Sequence, residues 1–172
     1  AIGTTERWSW ADALFMAPPV YAALYTMTGD KIYLDYLDSE YKACVDSLYD
    51  AEEHLFYRDN KRIPVREKNG SKQFWGRGNG WVFAGLPLVI DNLPLDCPSR
   101  NYYMRLFVDM AEAVRNARME TGAPACWTRE RIQCLRTVVL LSCALVLHGG
   151  FVMAIYLSVL ISPYSKRDGN HW

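Results

Sequence analysis

Two helices are written back to back between Pro18 and Leu48, and nowhere does a strand alternation of comparable length appear. Pro18-Pro19 suit a first helical turn, where a missing amide costs nothing. Val20, Ala23, Leu24 and Met27 then recur at helical spacing, and Gly29 supplies the stop. Asp30 stands where the next helix needs a cap, and Tyr33, Leu34, Leu37, Tyr41, Cys44, Val45 and Leu48 return every three or four residues after it. A third helix is expected from about Asn79 to Asp91. A fourth is expected from Ser99 as N-cap, burying Tyr103, Leu106, Phe107, Met110 and Val114. Segments 54–58 and 73–75 flank a polar stretch with Asn69-Gly70, which reads as a long loop with a short hairpin. This order is the texture of an all-α hairpin array or toroid, and it argues against α/β folds.

With 172 residues the chain can build one modest core but not two ordinary domains. Nineteen basic side chains balance nineteen acidic ones, so no electrostatic footprint points to nucleic acid. Cys44, Cys97, Cys126, Cys134 and Cys143 are odd in number and form no CxxC, so neither a disulfide scaffold nor a metal site is expected. The texture changes near residue 119. From Val138 to Ile161 no side chain is charged, while Arg129, Arg131 and Arg136 precede the run and Lys166 and Arg167 follow it. By composition that run passes as a membrane span. The first turn carries no signal-peptide pattern and does not begin with Met, so a fragment edge and a cytoplasmic location are expected.

Three clusters break the core pattern. Trp8-Ser9-Trp10-Ala11-Asp12 sets a carboxylate among indoles just before a helix. It reads either as a helix cap or as a general acid whose proton is retained in apolar surroundings, with Trp faces to stack on sugar rings. Glu52 to Arg58 encloses His54, either a loop hydrogen-bonder or a ligand contact. Phe74 to Trp81 has a GxGxG spacing without the βαβ unit that a dinucleotide loop requires. Its Arg77 between Trp75 and Trp81 fits a backbone bent close to a ligand, with the guanidinium meeting a carboxylate and an indole meeting a ring. The structural alternative is a tight turn leading into a helix with Trp81 in the core.

These runs carry a family resemblance. WSWADALFMAPP at 8–19, TGDKIYLDYLD at 28–38, EEHLFYRD at 52–59, FWGRGNGW at 74–81 and the LP…PSR segment at 93–100 resemble the unsaturated rhamnogalacturonyl hydrolases of glycoside hydrolase family 105. The related family 88 unsaturated glucuronyl hydrolases share the architecture. The resemblance implies an (α/α)6 six-hairpin barrel, present here as an incomplete one over residues 1–119. It implies that Asp12 is the acid/base aspartate and that Trp10, His54, Trp75, Arg77 and Trp81 line the sugar pocket. It implies protonation of the C4=C5 double bond of a terminal unsaturated uronic acid, then addition of water at C5, on pectin-derived disaccharides with no cofactor or metal. The family's second important aspartate falls outside this sequence. The alternative is a membrane-anchored or inactive helical interaction protein, with a membrane partner only if 138–161 is a genuine span.

Residues 120–172 do not continue the family pattern, and codon degeneracy suggests why. Taking the third base of each codon with the first two of the next, ACWTRERIQCLRTVVL from Ala125 permits LLDPGAYPVPENSGS. Leu140 to Leu157 permits AFMCFGAAWGIRNGYL, similar to the ending expected of the family. The tail is therefore expected to be a frameshifted reading of that ending, with the break near Gly122 to Cys126.

Overall fold

The computed structural model describes residues 8–119, and the apolar run 138–161 lies outside them. In chain order the elements are α1 (Ala13–Met16), α2 (Pro18–Thr28), α3 (Lys31–Leu48), β1 (Tyr49–Asp50), β2 (Leu55–Phe56), a 3-10 turn at Asn60–Arg62, α4 (Gly76–Asn92) and α5 (Pro98–Met119). The helical expectation holds: the strands are two residues each. No helix among the described residues is long and apolar enough to cross a membrane.

Local signals set the helix boundaries. Gly29 takes φ 70° and donates its amide to the Tyr25 carbonyl at 2.8 Å, closing α2 in the left-handed geometry that glycine adopts without strain. The Asp30 carboxylate accepts the Ile32 amide at 3.0 Å, a cap worth about 1 kcal/mol. Pro98 opens α5, so Ser99 lies inside the helix and is not its cap. Its hydroxyl is given instead to Asp38 on α3. Asp38 also accepts the Tyr103 hydroxyl at 2.7 Å, tying α3 to α5.

α4 is the central element, packed on α1, α2 and α5. Val82, Phe83, Leu86, Val89 and Ile90 are buried along it, and Phe83 stacks on Phe107 of α5 with centroids 5.0 Å apart. All five side chains expected to be buried in the last helix are buried. α1 lies so close to α4 that a Cβ on Gly85 would stand 2.8 Å from the Leu14 carbonyl oxygen and 3.1 Å from the Phe15 Cα.

The expected start of α4 is corrected. α4 begins at Gly76, three residues before the expected start, so the glycine-rich motif is its first turn and no bent loop. None of these glycines has positive φ. Gly78 serves close approach instead, because a Cβ there would meet the Trp75 ring at 2.7 Å. Within segment 54–58, β2 pairs backward with β1 directly after α3, Tyr49 opposite Phe56 and Asp50 opposite Leu55. Around Asn69-Gly70 there is one bridge, Arg66 to Lys72, with Gly70 at φ 86°.

Candidate active site

Asp12 is placed by the packing of its neighbours. Trp8 is buried, with its ring centroid 6.3 Å from Tyr21 and 6.1 Å from Tyr36. The Ala11 amide donates to the Arg58 carbonyl at 3.0 Å, which joins this segment to the loop after β2. Asp12 then stands at the N-cap position of α1, yet its carboxylate makes no capping hydrogen bond. One carboxyl oxygen, Oδ2, is buried without a hydrogen-bond partner. Burial raises the Asp12 pKa above the ordinary carboxylate value, against the opposing pull of its own amide and of the Arg77 and Arg58 charges. A capping carboxylate would instead be held ionised by the amides it accepts, and Asp12 makes no such bond.

Two arginine–indole stacks flank this carboxyl. The Arg77 guanidinium lies 4.5 Å from the centre of the Trp75 ring, and that of Arg58 lies 4.6 Å from the Trp10 ring. Arg58, Arg62, Gln73, Phe74, Trp75 and Arg77 line an open cleft of about 370 Å³. Asp59, itself buried, organises one wall. Its Oδ2 accepts Arg58 Nε at 2.7 Å, and its Oδ1 accepts the Lys61 amide at 2.9 Å and so caps the 3-10 turn that ends in Arg62. Behind the cleft, the fully buried Asn79 amide pairs with the backbone of β2. It accepts the Phe56 N–H at 2.7 Å and donates to the Phe56 carbonyl at 2.8 Å, which docks the strand leading to Arg58 on α4.

Of the residues singled out in the sequence, Trp75 and Arg77 line the cleft, with the Asp12 carboxyl within their electrostatic reach through Arg77. Trp10 is 47% exposed and stacked on Arg58. His54 and Trp81 make other contacts. His54 closes the β1–β2 turn at φ 54°, with its Nδ1 3.0 Å from the Tyr49 hydroxyl. A left-handed backbone at a non-glycine residue stores strain of about 1–3 kcal/mol, and such strain gathers at functional sites. Trp81 packs on Phe15 of α1, with centroids 4.7 Å apart. Arg58, Arg62 and Gln73 line the same cleft and were not anticipated. Arg58 and Arg62 show in the sequence only as basic side chains in a polar loop, which ordinarily denotes a solvated surface, and Gln73 carries no signal of its own. Among the described residues no group of His, Cys, Asp and Glu could hold a metal ion.

Residues 3–129 match the model of Glycosyl Hydrolase Family 88. The chain belongs to that family. Over 116 residues it is 44% identical to an unsaturated 3S-rhamnoglycuronyl hydrolase of Alteromonas sp. (strain LOR), which covers 67% of this chain and 28% of that relative. A solved family 88 glycosyl hydrolase from Bacteroides vulgatus superposes with TM-score 0.68 at 27% identity, covering 90% of this chain and 48% of the other. A family 105 glycoside hydrolase of C. acetobutylicum, with TM-score 0.60 and 18% identity over 89% of this chain and 47% of the other, shares the fold. The chain thus carries part of the six-hairpin helical fold, and its match spans 28% of that curated relative's length.

Proposed function

We propose that these residues form part of the active site of a hydrolase that removes a terminal unsaturated uronic acid from a saccharide, with Asp12 as the acid. The carrying observation is the Asp12 carboxyl, half-buried, with an unpartnered oxygen and a raised pKa beside two arginines. A carboxyl whose proton is held more tightly than an ordinary carboxylate's can deliver it to C4 of the C4=C5 double bond. Positive charge then develops at C5 and the ring oxygen, and water adds at C5. The resulting hemiketal opens to a ketone, leaving a hemiacetal at C1 that releases the second sugar as its alcohol. Arg77, held over the Trp75 ring, is the partner for the uronate carboxylate, and the exposed Trp10 offers indole surface at the rim. His54 and Trp81 complete the pocket in this reading from the hairpin and from α4.

The rhamnoglycuronyl linkage in the relative's name supports a rhamnose-linked substrate, with pectin-derived rhamnogalacturonan disaccharides as one source. The buried free thiols of Cys44 and Cys97 are in keeping with action in the cytoplasm. The test is Asp12→Asn in an enzyme carrying this segment at the relatives' full length, followed by the loss of the short-wavelength ultraviolet absorbance of the conjugated C4=C5 double bond. Turnover should fall about 10²–10⁴-fold while the helical circular dichroism stays unchanged. Near-normal turnover in the variant would remove Asp12 from the chemistry, and absence of turnover in the unsubstituted enzyme would favour a helical binding protein.

A further inference from the structure

One carboxylate outside the cleft gathers the segments around it. Asp50 ends β1, and its Oδ1 accepts the amides of Glu52 and Glu53, each at 3.1 Å, which closes the β1–β2 turn. The Asp50 carbonyl accepts the His54 amide at 2.8 Å, so the same residue anchors the left-handed backbone at His54. Its Oδ2 accepts the Tyr57 hydroxyl at 3.0 Å. A further donor comes from a distant loop: Lys72 Nζ lies 2.8 Å from Oδ2 and 3.0 Å from Oδ1. Lys72 also meets Glu52 at 2.6 Å, but the Glu52 side chain is 85% exposed and that of Asp50 only 11%. Water screens the outer contact more than the inner one, so Asp50 is the anchor.

Lys72 stands directly before the cleft wall. Gln73, Phe74 and Trp75 follow it and line the cleft. Tyr57, held by its hydroxyl on Asp50, packs its ring on Phe74 with centroids 4.8 Å apart. The wall is therefore fastened to Asp50 twice, by Lys72 at its start and through Tyr57 at Phe74. It has little else to fix it, since between the 3-10 turn and α4 there is no helix or strand and one isolated bridge, Arg66 to Lys72. Trp75 then takes the N-cap position of α4, with the Arg77 guanidinium over its ring. Asp12 is held by other means, the Ala11 amide on the Arg58 carbonyl and the seating of α1 on α4. We propose that Asp50 and Lys72 are positioning residues, whose ion pair sets the Phe74–Trp75 wall, and with it Arg77, against the His54 turn. This rests on the reading of Arg77 as the uronate's partner. The pair governs how the uronate is bound and leaves the acid in place.

The test is steady-state kinetics of the full-length enzyme carrying this segment, with an unsaturated uronyl-rhamnose disaccharide as the probe. Lys72→Met removes the clasp and keeps the turn bonds of Asp50. KM should rise about tenfold or more while kcat stays within about twofold, because Arg77 meets a charge that is present before and during the reaction. A contact that served stability alone would act differently, lowering the active fraction and so the apparent kcat at unchanged KM. Lys72→Arg keeps a cation within reach of Asp50 and should recover most of the lost affinity. Asp50→Asn keeps an acceptor for the two turn amides and should raise KM as Lys72→Met does. The double variant should add little to either single change, as expected of two partners in one contact. An unchanged KM in Lys72→Met, a fall in kcat alone, or additive effects in the double variant overturns the positioning pair and leaves the uronate site standing. Absence of turnover in the unsubstituted enzyme overturns the uronate site and this inference with it.

Discussion

Burial of Asp12 fixes the sign of a pH dependence. Its folded pKa is raised, so the folded chain holds this proton more tightly than the unfolded chain does. Stability from this group is therefore full below the unfolded carboxylate value and is lost as pH rises through the folded one. Asp12→Asn should abolish that loss: melting temperatures of the two proteins converge in acid and separate in the variant's favour toward neutral pH. Parallel curves over the whole range would mean that the carboxyl is not strained by burial. Arg77 gives a kinetic counterpart in the full-length enzyme. Its proposed partner, the uronate, is charged before and during the reaction, so Arg77→Ala should chiefly raise KM. A collapse of kcat at unchanged KM would assign Arg77 to the transition state instead. Asp12 and Arg77 stand out in the sequence as candidates because Asp12 follows two indoles and Arg77 lies among glycines between Trp75 and Trp81, runs that no core pattern explains. Arg62 does not, since a basic loop residue looks the same in sequence whether its loop faces solvent or folds over a cleft.

The elements place these groups by close approach. α1 has one turn, too short to hold itself, and it is seated on α4 because Gly85 has no side chain. Gly85→Ala would press a methyl on the Leu14 carbonyl and the Phe15 Cα, backbone atoms that cannot rotate away. We expect a loss of about 1–3 kcal/mol, visible as a lower urea midpoint at unchanged slope. An unaffected midpoint would show that α1 shifts freely. The long helices could be read from sequence because their apolar spacing, Asp30 cap and Gly29 stop agree with one another. The first turn of α4 could not, since glycines at 76, 78 and 80 signal a loop by propensity. What overrides propensity there is tertiary: Trp75 folds over Gly78, and Asn79 is occupied with β2. The backward pairing of β2 was likewise hidden, because its partner strand is two residues at the end of a helix and has no pattern of its own.

At the scale of the whole molecule, the segment that carries the family match ends near the point where the composition changes, at residue 129 of 172. We propose that the tail is an out-of-phase reading of the family's own ending. Sequencing the gene across Gly122 to Cys126 decides it: an insertion or deletion whose repair opens a long frame encoding LLDPG and WGI supports the proposal. A shifted frame interrupted by stops leaves the apolar run as a membrane segment. Asn79 has a consequence at the same scale. A two-residue strand ordinarily frays, and its amides exchange with deuterium through small local openings. The Phe56 amide is instead clasped by a fully buried side chain of the central helix. Releasing it requires α4 to leave the hairpin. Its protons should therefore exchange as slowly as those of Val89 or Ile90, and one amide in the smallest sheet would report the cooperative opening of the fold.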